Sequence, residues 1–266
     1  MKTFEHGMMI YQPWSTFIIR TKMLSNLTED LNILCDKIKN DPNHKDKGAG
    51  LAGQIDDEWD ITAQEFLNAT EGFSEYLQDL VNGYMIERDN QTNPKGTFNY
   101  DNNHRHSEKY LTNYAEKDRP QVLADEINFD FQLTSAWFND QKDNEYNPMH
   151  THVGDLSGVL YLQIPEYLPP RRTSAPFDGS IEFRVGKGSP YSLENVNVFP
   201  EPGDIFLFES GMSHAVYPFR TADGKGVRRS LSFNIMIAQA MRQDIAGNMG
   251  IGYKNNMQTI TDDEQK

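Results

Sequence analysis

The chain of 266 residues holds a single cysteine, Cys35. An internal disulfide is therefore impossible, and no thiolate cage can be built for a structural metal. Positive charge is also scarce: 25 Lys and Arg face 39 Asp and Glu, a formal charge of −14. A non-specific phosphate-binding surface would work against the field of the whole molecule, which argues against nucleic acid as a partner. No run approaches the ~20 apolar residues that span a bilayer, and the opening MKTFEHGMMIYQPW has no long apolar core of a signal peptide. No internal repeat of fixed period is visible either. These absences predict a soluble, acidic, cytoplasmic protein that does not engage membranes, and a hydrophobic content of 37% suffices for a sizeable core.

The first part of the chain reads as a strand followed by two helices. MMIYQPWSTFIIRTKM is rich in β-branched and aromatic residues, interrupted by Pro13 as an edge strand tolerates. Thr28 is placed to cap a helix whose apolar positions Leu31, Leu34, Cys35 and Ile38 follow helical spacing. Between Ile61 and Arg88, Phe66, Ala69, Phe73, Leu77, Leu80, Val81 and Tyr84 predict a second amphipathic helix that runs through Gly72 and Gly83. Residues 40 to 60 and 89 to 125 are polar and rich in Gly, Asn, Asp and Pro, hence surface loops. His104 and His106 fall in the second of these, among polar neighbours and on no apolar strand, so they are read as solvated.

From Asn128 the period changes from helical to extended. FDFQLTSAWFN, SGVLYLQIP, GSIEFRV, NVNVFP, DIFLFES, AVYPF and RRSLSFNIMI are short apolar or alternating runs separated by Gly, Pro, Asp or Asn. They predict a mainly β fold, a double-sheet sandwich or jelly roll with the helices covering one sheet. One domain is expected over 1–240, with a strand and helices in 1–127 packing on a β-core in 128–240, followed by a polar tail over 241–266.

Potential ligands concentrate in NPMHTHVGDLSGVLYLQIP, from Asn147 to Pro165. Residues two apart on an extended chain face the same way, about 6 to 7 Å apart, so His150 and His152 can turn both imidazoles toward one ion. A third ligand must come from elsewhere, and His214 lies just past another apolar strand and a Gly-containing turn. Three ligands on one side of a metal leave open positions for substrate and oxygen.

In RRSLSFNIMI, alternation sets Arg228, Ser230, Ser232 and Asn234 on one face and Arg229, Leu231, Phe233 and Ile235 on the other. Such a strand is ordinarily half-exposed. If the polar face lines the interior instead, Arg228 is a buried cation in need of an anion, and a dicarboxylate cosubstrate would supply it, with Ser230 donating a further hydrogen bond. Trp137 and Asn139 share parity, so Asn139 could donate to a cosubstrate or to a substrate carbonyl while Trp137 packs beside it. Tyr161 is open to either a packing or a functional role, and Tyr146 and Asn147 are read as shaping the loop before the histidine pair.

In order and spacing, SAWFN, NPMHTHVGDLSGVLYLQIP, PGDIFLFESGMSHAVYPF and RRSLSFN resemble the iron(II) and 2-oxoglutarate-dependent dioxygenases. The branch resembled is the prolyl-hydroxylase-like one of marine bacteria and cyanophages. The resemblance covers roughly Phe129 to Ile237. It implies a double-stranded β-helix, a jelly-roll variant with the metal at one open end, and Fe(II) with 2-oxoglutarate as cofactors. It further implies that His150, His152 and His214 are the catalytic metal ligands, and that Arg228 with Ser230 is the pair binding the far carboxylate of 2-oxoglutarate. The expected reaction hydroxylates a C–H bond of a peptide or small molecule with release of succinate and carbon dioxide, in a host cytoplasm if the protein is viral.

One position departs from the family pattern: His152 stands where most members carry an acidic residue. Either three imidazoles hold the iron, or Asp155 turns in at Gly154 and one of His150 and His152 contacts the cosubstrate; the other role for Asp155 is an Asx-type turn bond. Two other classes stay open, a non-catalytic jelly-roll or viral structural module with a structural metal, and a cupin-like oxygen-using enzyme that needs no Arg228.

Overall fold

The structure, a computed structural model, describes residues 2–3, 9–10, 16–44, 53–92, 127–171, 173–174, 176–186 and 193–242. Pro13, His104, His106, most of the 91–125 loop and nearly all of the 241–266 tail lie outside the described residues. In chain order the elements are β1 (Lys2–Thr3), β2 (Met9–Ile10), β3 (Ile18–Lys22), α1 (Ser25–Lys39), β4 (Glu58–Ile61), α2 (Ala63–Leu67) and α3 (Phe73–Thr92). There follow β5 (Ile127–Gln141), β6 (Asn147–His150), β7 (Leu156–Gln163), β8 (Ile181–Arg184), β9 (Asn195–Val198), β10 (Asp204–Glu209), β11 (Ser213–Val216) and β12 (Arg228–Arg242). The chain divides into two compact units. One comprises Met1–Ser15, Gln78–Phe131 and Ile237–Lys266, within which β1 and β2 pair antiparallel. The other, Thr16–Leu77 with Gln132–Met236, holds the two larger sheets and the candidate site.

A six-stranded sheet in the order β3-β10-β7-β12-β5-β4 and a four-stranded sheet in the order β6-β11-β8-β9 make up this second unit. The inward faces of both sheets contribute to one cluster, Val159 and Tyr161 from β7, Ile181 and Phe183 from β8, Phe206 and Phe208 from β10, and Met212. Phe183 is the hinge of this packing, its ring centroid 5.0 Å from that of Phe208 and 5.9 Å from that of Phe206. The fold is thus the expected two-layer antiparallel β architecture of jelly-roll type, with α1 packed on the outer face of the larger sheet. β7 is buried over seven of its eight residues because α1 packs on one side of it and the second sheet on the other. Burial on both faces is why it reads as an unbroken apolar run.

Three local expectations are corrected. α1 begins one turn earlier than Thr28: Leu24 is its N-cap, without a side-chain cap bond, and the Thr28 hydroxyl donates to the Leu24 carbonyl inside the first turn. The helix foreseen from Ile61 to Arg88 is two, because Gly72 takes φ +81° between α2 and α3, a conformation that a right-handed helix cannot pass through. Thr62 and Glu65 form a capping box that starts α2. Where the loop over 40–60 was to meet the helix from Ile61, Glu58–Ile61 is instead a strand on the edge of the larger sheet, pairing with β5 from Glu58↔Asn139 to Ile61↔Ala136. No helix among the described residues is long and apolar enough to cross a membrane.

Candidate metal centre and cosubstrate cavity

Antiparallel pairing of β6 with β11 sets His214 directly opposite His150. Cross-strand partners touch whatever their separation in sequence, and the two rings lie 4.2 Å apart between centroids. His152 follows β6 and comes to within 4.9 Å of each of the other two rings. The three imidazoles offer ligand atoms that all lie within 4.8 Å of one another. Asp155 does not join them; its N–H donates to the Ile235 carbonyl and its own carbonyl accepts from the Ser210 N–H.

Hydrogen bonds aim the rings. His150 Nδ1 lies 2.7 Å from the Pro148 carbonyl and His214 Nδ1 lies 3.0 Å from the Met212 carbonyl. A carbonyl only accepts, so both Nδ1 atoms carry the proton and both Nε2 lone pairs point away from the backbone. Burial pushes all three pKa values down, His214 to about 3 and His152 to about 4, with neighbouring imidazoles adding to the depression at those two. At neutral pH the rings are uncharged, which is the form that binds a metal. His152 Nε2 stands 3.2 Å from His214 Nε2. Two lone pairs at that distance repel unless a proton or a cation lies between them, and the donor set suits a divalent ion.

Backbone geometry holds the ligand loop. The His152 N–H donates to the Ser210 carbonyl at 2.9 Å, and Gly154 follows with φ +136°. A Cβ at Gly154 would meet the Ile235 carbonyl oxygen at 2.8 Å. Gly154→Ala is therefore expected to cost about 1 to 3 kcal/mol in urea unfolding and to weaken Co(II) binding through displacement of His152. Unchanged stability and unchanged metal affinity would remove the loop from this role.

The histidines open onto a cavity whose apolar walls include Ile55, Val159, Ile181, Phe208 and Val216. Trp137, Asn139 and Gln141 line it from successive inward positions of β5, as do Ser230 and Ser232 from β12. The polar face of β12 is thus interior, with Arg228 1% exposed and Asn234 tied to Ser157 and Ser135. The register of β12 against β7 shifts between Arg229 and Ser230. Among the described residues, three polar atoms of cavity-lining residues are buried without a partner: Asn139 Oδ1, Asn147 Oδ1 and the Tyr161 hydroxyl. Burial of the Tyr161 ring raises its hydroxyl pKa to about 12, so it is a neutral donor. Unpaired buried polar atoms of this kind are costly unless a ligand or water meets them.

The guanidinium of Arg228 lies behind the lining, 5.9 Å from the Tyr161 ring centroid and 5.3 Å from that of Phe219. Its partners among the described residues are all neutral: Gln141, the Gly179 and Tyr217 carbonyls and the Tyr167 hydroxyl. Arg229 points to the opposite side of the sheet and is gripped bidentately by Asp140, at 2.6 and 2.8 Å, with Asp36 at 2.7 Å. Of two adjacent buried arginines, the inner one has no carboxylate among the described residues.

His150, His152, His214, Ser230 and Asn139 thus surround one cavity, and Arg228 stands at its back. Trp137 lines the cavity too, 5.5 Å from His152 between ring centroids. Gln141 is the residue that sequence reading passed over. Its signal was parity, two positions beyond Asn139 on the same strand.

Residues 135–234, which run from β5 through β12, match the model of a family described as "Putative 2OG-Fe(II) oxygenase". No curated protein matches the sequence. Among solved structures, the chain is similar to a prolyl-4-hydroxylase of Pseudomonas putida, with 13% identity, a TM-score of 0.44, and coverage of 82% of this chain and 92% of that one. It is also similar to a collagen prolyl hydroxylase of Paramecium bursaria Chlorella virus-1, at 10% identity and TM-score 0.41, covering 82% of this chain and 94% of that one. A third is HygX of Streptomyces hygroscopicus, crystallised with nickel, 2-oxoglutarate and hygromycin B, at 12% identity and TM-score 0.43, covering 83% of each chain. Similarity at this level extends to no residue's role.

Proposed function

From the match of residues 135–234 to the 2OG-Fe(II) oxygenases we infer that this chain is a 2-oxoglutarate-dependent oxygenase that hydroxylates a C–H bond of a peptide or small molecule, with His150, His152 and His214 as its metal ligands. The observation that carries the reading is the convergence of three neutral imidazoles on a cavity backed by a buried arginine that has no carboxylate partner among the described residues. Iron, when bound, supplies oxygen activation, coupled to oxidation of 2-oxoglutarate to succinate and carbon dioxide.

The chain's own contribution is orientation and exclusion of water. Pro148 and Met212 carbonyls hold the Nδ1 protons of His150 and His214 and so present Nε2 to the ion. Three neutral ligands leave the charge of a divalent cation uncancelled, and Arg228 adds a further positive charge at depth. A dianion with a carboxylate at each end would set one negative charge against Arg228 and one against the metal, leaving a single net positive charge. Tyr161 and Ser230 are placed to donate hydrogen bonds to it, and the apolar walls Val159, Ile181, Phe208 and Val216 keep bulk water away. A carboxylate from Asp155 has no geometric support, given where its backbone is tied.

Succinate release from 2-oxoglutarate, with and without Fe(II), tests the reading. Iron-dependent succinate is expected, and none at any iron level would favour a non-catalytic module. Arg228→Ala is expected to raise the 2-oxoglutarate KM by about tenfold or more, the worth of a charge-assisted pair. An unchanged KM would contradict the carboxylate assignment.

A further inference from the structure

We propose that the Gln141 side-chain amide is a built-in stand-in for the distal carboxylate of the cosubstrate, holding Arg228 while the cavity is empty and giving way when 2-oxoglutarate enters. This rests on the functional reading above and concerns a residue that nothing there assigns.

A guanidinium has five N–H donors, and its Nε–Nη2 edge is one that a carboxylate grips with both oxygens. The chain contains its own example. Arg229 gives Nε to Asp140 Oδ1 and Nη2 to Asp140 Oδ2. One residue earlier, Arg228 gives Nε, at 3.2 Å, and Nη2 to the single amide oxygen of Gln141. Gln141 therefore does for Arg228 what its neighbour Asp140 does for Arg229, without the negative charge. The remaining donors have other partners: Nη1 gives to the Gly179 carbonyl at 2.7 Å and to the Tyr167 hydroxyl at 3.5 Å, and Nη2 gives to the Tyr217 carbonyl at 3.2 Å. Those bonds can keep the guanidinium in place while the Nε–Nη2 edge changes partner.

Position makes the exchange possible. Gln141 lines the cavity and Arg228 does not, so the amide lies between the space a ligand would fill and the charge it would seek. A neutral acceptor is the weaker partner for a buried cation, so a carboxylate arriving from the cavity side displaces it. Until then the amide spares Arg228 the cost of an unmet donor edge.

The test is calorimetric titration of the Ni(II)-loaded full chain with 2-oxoglutarate and with 2-oxobutyrate, which chelates alike but has no distal carboxylate. Gln141→Met keeps the volume and removes the competing oxygen; it is expected to tighten 2-oxoglutarate about threefold and leave 2-oxobutyrate unchanged. Gln141→Glu places a carboxylate on Arg228 permanently and is expected to weaken 2-oxoglutarate by about tenfold or more, again sparing 2-oxobutyrate. Weaker 2-oxoglutarate binding in the Met variant, or equal changes for both acids, overturns the proposal by making Gln141 a support for the cavity rather than a competitor. Should the Glu variant not fold, the Met variant decides. Failure of the unsubstituted protein to bind either acid is a different result and overturns the functional reading itself.

Discussion

Replacing His214 with alanine is expected to abolish iron-dependent succinate formation and to weaken Co(II) binding by more than about a hundredfold, beyond the loss that follows removal of a supporting partner. His214 is the one ligand candidate delivered by a separate stretch of chain. It is 4% exposed, its Nδ1 is committed to the Met212 carbonyl, and its Nε2 faces the other two rings. His150 and His152 alone would hold an ion from one side. Packing gives the substitution a second effect, since the ring also meets Phe208 at 4.9 Å between centroids. His214→Gln keeps part of that volume and separates the two effects. It should fold, as read by thermal unfolding, and still lose metal affinity. Full turnover in either variant would take His214 out of the ligand set.

Asp140→Ala is expected to destabilise the protein by about 3 to 5 kcal/mol in urea unfolding, the range for breaking a buried ion pair from one side. Asp140 is 1% exposed and accepts from Arg229 and, at 2.7 Å, from Lys39. Its loss leaves Arg229 buried beside an exposed Asp36 that cannot compensate for it. Burial pushes the Asp140 carboxyl up, but the hydrogen bonds and charges of Arg229 and Lys39 outweigh this and hold it below the usual carboxylate value. A lowered folded-state pKa means stability that is complete above the unfolded value of about 3.9 and lost as pH falls through the folded one. The gap between the unsubstituted protein and Asp140→Asn should therefore be constant from about pH 5 upward and close in more acid solution. A gap that persists undiminished to the lowest pH at which the protein folds would contradict the ion-pair account. Metal affinity should move little, since Asp140 faces the opposite side of the sheet from the histidines.

Much of the site could be read from period alone. Strand side chains alternate, so His150 with His152, Trp137 with Asn139, and Arg228 with Ser230 could be grouped before any coordinates, and the family's order of motifs then attached a chemistry to them. Arg229 shows the limit of such reading. Parity separates it from Arg228, but only the position of Asp140 and Asp36 reveals that one arginine is already paired and the other is not. Gln141 has the parity of a cavity residue, yet nothing local indicates that its amide meets a guanidinium 87 positions away.

Helix boundaries were less legible, because they depend on one or two residues. Gly72 could have been tolerated inside a helix and instead ends one, and the four residues of β4 are too few to show a period and become a strand only because β5 offers an edge. The local chain, then, settled which residue types stand at which spacing, and so the kind of chemistry available. The fold settled which distant groups meet: the facing of His214 and His150 across two strands, the burial that keeps their rings neutral, and the choice of which arginine keeps its charge uncompensated. Those outcomes depend on long-range pairing and on removal from water, and neither is encoded in any short window of sequence.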